Sequence, residues 1–352
     1  MDGIAIKAPA NAAEQWQLAI GSFTWVDTGH PMPVGTDTVV ERERVQFSAD
    51  GSAQVTGPAP HGLNVRAVGE DFPAGQLLIP AGHRLRPADL ATAAAAGHPA
   101  LEVARRPVAA IIPTGDEIRP VGSALRPGDV TDTNSLLLAS RARETGAQVL
   151  VSDVQPDDPG AISAEIRHAA LAADIVLVIA GSSAGRSDHT AAVIAQSGGL
   201  AIRGVAVRPG HPVLLGYAKP RPERDGQSAR TVPMIGIPGY PLAAAVTFEL
   251  FAVPMLTALQ GRQPADPPRQ RAQLTCDWTS PPDVEDWVPV TLAPAPAVPH
   301  ASCSVMATPG RRGSGSISHL MRAHAWWPIP IGQGKFIRGE HIDILPIPGA
   351  PS

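Results

Sequence analysis

Two hydrophobic patterns divide the chain. Between residues 107 and 261, short apolar strand candidates recur at 108–112, 148–151, 175–180, 202–207, 213–216 and 232–236, with 175–180 an unbroken β-branched and aliphatic run. Runs of this length and β-branched content suit strands covered on both faces. Helix-period stretches lie between them at 135–145, 159–172, 189–196 and 242–259, with Gly146 and Gly198 as stop signals. This alternation predicts a mainly parallel sheet with helices on both faces, a three-layer αβα domain. Outside it the pattern shortens. Residues 1–66 read as a β-rich domain with strands at 4–7, 17–20, 38–44 and 54–56, separated by Gly, Pro and Asp. Residues 67–106 read as a smaller module with a strand at 75–80, a helix at 87–96 and a strand-like run at 101–104. Residues 262–352 return to short strands at 273–277, 288–291 and 342–346, which predicts a small β-barrel or sandwich. The expected fold is therefore multidomain α/β, with segments 1–66, 67–106, 107–261 and 262–352.

Composition narrows the function classes. The 352 residues carry a net charge of −4 with 17% charged residues and no Lys/Arg-rich run, which argues against nucleic acid as a partner. Cys276 and Cys303 stand far apart without CxxC or His spacing, so neither a disulfide framework nor a zinc site is expected. No signal peptide is read, and the apolar runs fall short of the roughly 20 residues of a membrane helix. A cytoplasmic, non-membrane protein acting on a small molecule is expected.

The unusual residues sit after the predicted strands, where open parallel sheets bind ligands. The run Gly181-Ser182-Ser183-Ala184-Gly185 leaves the 175–180 strand and leads to Asp188, a candidate N-cap. Bare amides at a helix start receive anions, although a ligand-free β–α turn has the same sequence. Asp158 before Pro159, and Asp132 and Asn134 before Ser135, read either as caps or as site residues. Arg208 and His211 flank Pro209-Gly210 and are placed to pinch an oxyanion, or else belong to a solvated turn. Pro238-Gly239-Tyr240-Pro241 is a rigid turn that admits close backbone approach. Carboxylates beside anion donors call for a cation between them, and Mg2+ meets that need.

These residues fall in an ordered series of motifs: Met1-Asp2-Gly3-Ile4-Ala5, residues 28–37 from Thr28 to Asp37, residues 64–71 from Asn64 to Asp71, residues 113–117 ending in Glu117, Asp132-Thr133-Asn134, residues 180–188, residues 208–212 and residues 237–241. Gly313-Ser314-Gly315-Ser316 follows near the end. Over nearly its whole length the chain resembles the MoeA-type molybdopterin molybdenumtransferases, the family of the gephyrin E-domain, as a divergent member. The resemblance implies a β-rich domain, an elongated dimerisation domain, a MogA-like α/β domain and a C-terminal β-barrel, with the site between the subunits of a homodimer. The family's N-terminal helices precede Met-Asp-Gly, so a shortened elongated domain is expected, with 67–106 as its remnant. The implied reaction inserts molybdate into adenylylated molybdopterin and releases AMP with Mg2+ assistance.

Carried over by position, Asp71, Glu117, Asp158 and Asp188 are expected catalytic residues, and Asp2, Glu117 and Asp188 are expected to hold metal. Thr28, Gly181, Ser182, Ser183, Gly185, Arg208, His211, Pro238, Gly239, Arg312 and Ser314 are expected to bind substrate. Three departures stand out: Ala180-Gly181-Ser182-Ser183 replaces Ser-Gly-Gly-Val, Arg208 and His211 replace two lysines, and Tyr240 replaces asparagine. They favour, as an alternative, a molybdopterin-binding or scaffold paralogue impaired in turnover. Asp188→Ala is expected to abolish cofactor formation in a molybdate-dependent complementation assay, and full rescue by the variant would remove Asp188 from the site.

Overall fold

Short alternating strands near the N-terminus have one apolar face each and bury it by pairing into two small sheets. In the computed structural model, which describes residues 2–10, 13–180, 184–219, 231–264, 266–295, 305–310, 313 and 317–350, this region forms one compact unit of residues 1–81 and 85–97. Its strands are β1 (Gly3–Ile6), β2 (Gln15–Leu18), β3 (Thr24–Val26), β4 (Thr38–Glu41), β5 (Val45–Phe47) and β6 (Ala53–Thr56). One antiparallel sheet has the order β3-β1-β4 and the other β2-β6-β5. Ile4, Ile6, Val40 and Val55 fill the core. Gly3 is obligatory because a Cβ there would strike the Val40 carbonyl. Helix α1 (Pro87–Ala95) belongs to the same unit, started by Asp89, whose carboxylate accepts from the Arg86 N–H at 2.7 Å. The strands predicted at 75–80 and 101–104 do not form. Leu77 and Val103 are exposed, and among the described residues no neighbouring strand offers hydrogen bonds there.

The second unit comprises residues 82–84 and 98–352. Its elements begin with β7 (Val108–Pro113), β8 (Ile118–Arg119), β9 (Val130–Thr131), α2 (Asn134–Glu144), β10 (Gln148–Val151), α3 (Pro159–Ala172) and β11 (Ile175–Ala180). They continue with α4 (Ala184–Ser197), β12 (Gly198–Arg203), β13 (Val207–Arg208), β14 (Leu214–Ala218), β15 (Val232–Pro238), α5 (Pro241–Thr247) and α6 (Val253–Leu259), the last two joined by a π-helical turn at Phe248–Ala252. Six strands form one sheet in the order β10-β7-β11-β15-β14-β12, parallel from β10 to β15 and antiparallel beyond. Every residue of β11 is buried. One face packs on α2 and the α5–α6 helix through Leu138, Phe248 and Leu256, the other on α3 and α4 through Ile162, Ile166 and Ile194. This is the expected αβα sandwich. The expected strand at 202–207 splits: its first part lies in edge strand β12, and its last residue opens β13, which pairs with a different sheet.

The continuous 19-residue helix Pro241–Leu259 contains an 18-residue stretch of mean hydropathy 1.9, long and apolar enough by composition to cross a bilayer, contrary to the expectation that no run reaches that length. Half of it is buried inside the domain, and its inward residues are part of the sheet's core, which accounts for its composition.

The C-terminal segment adds β16 (Gln270–Leu274), β17 (Trp278–Thr279), β18 (Glu285–Pro294), β19 (Val305–Pro309), α7 (Ile317–Arg322), β20 (Ala325–Ile329), β21 (Lys335–Phe336) and β22 (His341–Pro346). The pairings run β18–β19–β16–β22–β20 and back to β18, closing a five-stranded barrel. Leu274, Val288, Val290, Ile342 and Ile344 fill it, with Trp327 edge-on to Phe336 at 4.8 Å between ring centres.

In the N-terminal unit, Asp37 pairs with Lys7 Nζ at 2.6 Å and accepts from the Ala8 N–H at 2.7 Å. The Lys7 contact, then the Ala8 amide, pull its carboxyl down to about 2 from 3.8. Its contribution to folding is fully present above pH 3.8 and is lost as pH falls toward about 2. Asp37→Asn should therefore lower the unfolding temperature at pH 6, with the gap to wild type closing as pH approaches 2. A gap independent of pH would contradict the pairing.

Candidate active site

Parallel register brings the exits of β7, β11 and β15 to one level: Pro113 lies opposite Ile179, and Ala180 opposite Pro238. The chain leaves a sheet covered on both faces at this line, so polar groups appear here first. Thr114 turns back at once, its N–H and hydroxyl both donating to the Ile179 carbonyl at 3.0 and 2.9 Å. Gly115, at φ +140, takes a conformation that admits no side chain, since a Cβ would sit 2.8 Å from Ile118 Cγ1. This turn delivers Glu117 to the rim. The short parallel pair β8–β9 holds it there, the Val130 N–H donating to the Glu117 carbonyl at 2.8 Å.

A cleft of about 460 Å3 opens at this rim, with Thr114, Glu117, Asp132, Asn134, Gly239 and Tyr240 among its walls. Asp132 caps α2, its Oδ1 accepting the Ser135 N–H at 3.0 Å, as the sequence anticipates. Asn134 opens the helix and donates Nδ2 to the Gly239 carbonyl at 2.7 Å, tying the β9–α2 corner to the β15–α5 corner. Two carboxylates, a buried amide and the glycine that anchors it thus border one cleft. Gly239 borders this cleft, whereas Pro238 ends β15 and is not in its wall. Asn134 as a wall residue was legible only as a helix start, because nothing in its neighbours announces a partner 105 positions away.

Other expected residues lie elsewhere. Asp158 caps α3, with Oδ1 accepting from the Ala161 N–H at 2.7 Å, and is not in the cleft wall. Helix α4 begins at Ala184, so Asp188 lies within its first turns and is not the N-cap, and Gly185 is helical rather than part of a loop. The side chains of both, and Gly181, Ser182, Ser183, Arg312 and Ser314 entirely, lie outside the described residues. In the N-terminal unit, Asp2 Oδ1 accepts from both the Thr28 N–H, at 2.8 Å, and the Thr28 hydroxyl, at 3.0 Å. The amide, then the hydroxyl, hold the Asp2 carboxyl below its usual range. Asp71 is exposed on a turn of the same unit. Among the described residues, no three His, Cys, Asp or Glu side chains are grouped to hold a metal ion.

Arg208 and His211 are engaged. Arg208 ends β13, which pairs in parallel with β18 and sets it opposite Asp286. Its Nε and Nη2 reach Asp286 Oδ1 and Oδ2 at 3.1 and 2.8 Å, a bidentate pair. The Asp286 side chain is 4% exposed and also accepts the Ser280 hydroxyl at 2.7 Å. The guanidinium therefore neutralises a buried barrel carboxylate and is not a free charge. It lines a second cavity of about 280 Å3, with Leu242, Trp278, Trp287 and Gly313. At the start of α5, Pro241 borders the first cleft and Leu242 this cavity. His211 Nδ1 lies 2.7 Å from the Val205 carbonyl, which favours the tautomer donating there. Asp286 and Ser280 carry no sequence signal of their own.

Removing Arg208 leaves Asp286 buried with Ser280 as its remaining described partner. Arg208→Ala should cost about 1–3 kcal/mol, the lower range for a pair whose guanidinium is 39% exposed. Adding Asp286→Asn should recover part of that loss in urea denaturation, because the stranded charge is gone.

Comparisons with known proteins agree along the chain. Residues 1–97 match the MoeA N-terminal region (domain I and II), 110–258 a probable molybdopterin binding domain, and 271–347 the MoeA C-terminal region (domain IV). A molybdopterin molybdenumtransferase of Nostoc sp. is 29% identical, over 98% of this chain and 77% of the relative. Molybdopterin molybdenumtransferase 2 of Mycobacterium tuberculosis is 31% identical, over 79% of this chain and 67% of the relative. A crystal structure of the molybdopterin biosynthesis MoeA protein of Pyrococcus horikoshii superposes with a TM-score of 0.77 at 27% identity, covering 98% of this chain and 86% of that one. With three successive regions matched in order, on the sandwich and barrel described above, the chain belongs to the MoeA family of molybdopterin molybdenumtransferases.

Proposed function

We propose that this chain inserts molybdate into adenylylated molybdopterin with release of AMP, the last step of molybdenum cofactor assembly. The observation that carries the reading is the strand-end cleft. It lies in the segment matched as a probable molybdopterin binding domain and is bordered by Glu117, Asp132, Asn134 and Gly239. The relatives named molybdopterin molybdenumtransferase support the reaction class.

The donor set fits Mg2+. Two carboxylates, Glu117 and Asp132, border the cleft, and Mg2+ is commonly held by one or two carboxylates together with substrate phosphate. Glu117 and Asp132, with Asp188 from α4, would hold it, and it would neutralise charge building on a phosphate oxygen. Asp2, Thr28, Asp71 and Asp158 stay in this reading as polar site residues carried over by position. Arg208, His211, Arg312 and Ser314, carried over by position, would receive molybdate oxygens. Arg208 would do so through its guanidinium donors not engaged by Asp286. The homodimer, the cytoplasmic location and the absence of a membrane role belong to the same proposal.

A second reading, a molybdopterin-binding scaffold impaired in turnover, draws on one observation. The two positions where the resemblance expects free lysines hold an arginine paired with Asp286 and a histidine bonded at Nδ1 to Val205. Complementation of a strain lacking its own molybdenumtransferase separates the two. The chain as given should restore molybdoenzyme activity, and Glu117→Gln should reduce it at least about tenfold, the scale of one lost charge-assisted interaction. Restoration only after Arg208→Lys with His211→Lys would establish the scaffold reading instead.

A further inference from the structure

Asn134 is 8% exposed, and its two amide ends are treated differently. Nδ2 is committed to the Gly239 carbonyl at 2.7 Å. Oδ1 is buried and has no hydrogen-bond partner among the described residues. A buried carbonyl oxygen without a donor is costly, and native proteins keep such groups mainly where function completes them. Here the residue borders the strand-end cleft. The Gly239 bond also fixes which way the amide faces: swapping the two ends would set oxygen against oxygen. Asn134 therefore offers an acceptor and no donor to whatever occupies this wall.

That sign selects the ligand group. Phosphate and molybdate oxygens accept hydrogen bonds and gain nothing from a second acceptor. A flat heterocycle with N–H or amino groups on its edge supplies what Oδ1 lacks. Tyr240, 48% exposed at the same rim, adds a phenol ring next to the backbone carbonyl that anchors Asn134, suited to cover the face of such a ring. We propose that Asn134 is the specificity-determining residue for the pterin ring. Its Oδ1 accepts from the donor edge formed by N3–H and the 2-amino group, which sets that edge of the ring against Asn134. This assignment rests on the molybdopterin reading above and deepens it.

The test measures binding rather than turnover. The full chain is titrated with 6-hydroxymethylpterin and with its 2-dimethylamino-3-methyl derivative, which has no donor on that edge. Wild type should prefer the first by about tenfold or more in Kd, the size of one hydrogen bond to a buried acceptor. Asn134→Leu, checked for folding by circular dichroism, should reduce the preference to below about threefold. An undiminished preference in folded Asn134→Leu overturns the assignment and leaves the molybdopterin reading standing. Equal binding of both probes by wild type overturns the assignment without any variant. No binding of either probe removes the pterin from this cleft and takes both readings with it.

Discussion

The site depends on three parallel strands, β7, β11 and β15, that have no solvent face. Each is held between helix layers, so its side chains are apolar for most of its length, and polar chemistry is excluded until the chain emerges. Parallel pairing then aligns the exits, Pro113 beside Ile179 and Ala180 beside Pro238. A slip of one residue in any pair would turn buried side chains toward the wrong layer, so the same burial that stabilises the sheet also sets the level of the rim. Glu117, Asn134 and Gly239 come from loops far apart in sequence and share a wall because that level is common.

A second constraint acts where the sandwich meets the barrel. Strand β13 leaves the main sheet to pair with β18, and the charge of Arg208 is answered there by Asp286 and Ser280. Burying Asp286 at 4% exposure is tolerable only with a bidentate partner. Arg suits this better than Lys would, because a planar guanidinium meets both carboxylate oxygens at once. The Arg208–Asp286 pair thus joins two modules of one unit.

Much of the architecture was legible because burial writes itself into local composition. The aliphatic run at 175–180 could hardly be anything but a central strand, and Gly146 and Pro159 mark helix ends where the structure has them. Misreadings occur where local signals are weak or shared. Asp188 reads as an N-cap because an acid precedes a helical pattern, yet the helix starts four residues earlier, at Ala184. Leu77 and Val103 read as strand residues, but a strand exists only with a partner, and among the described residues none is adjacent.

On its own, the sequence determined which segments are strands and helices of the central domain, their order, and the loops that carry Glu117, Asp132, Arg208 and Gly239. These follow from periodicity, turn chemistry and motif order, which are properties of neighbours along the chain. Tertiary structure alone decided that Asn134 would spend its donor on Gly239 and keep Oδ1 unmatched, and that Arg208 would face Asp286. Hydrogen bonds and ion pairs between residues 105 and 78 positions apart have no local signature. They exist because closing the sheet and the barrel brings together groups that would each have been solvated in the open chain.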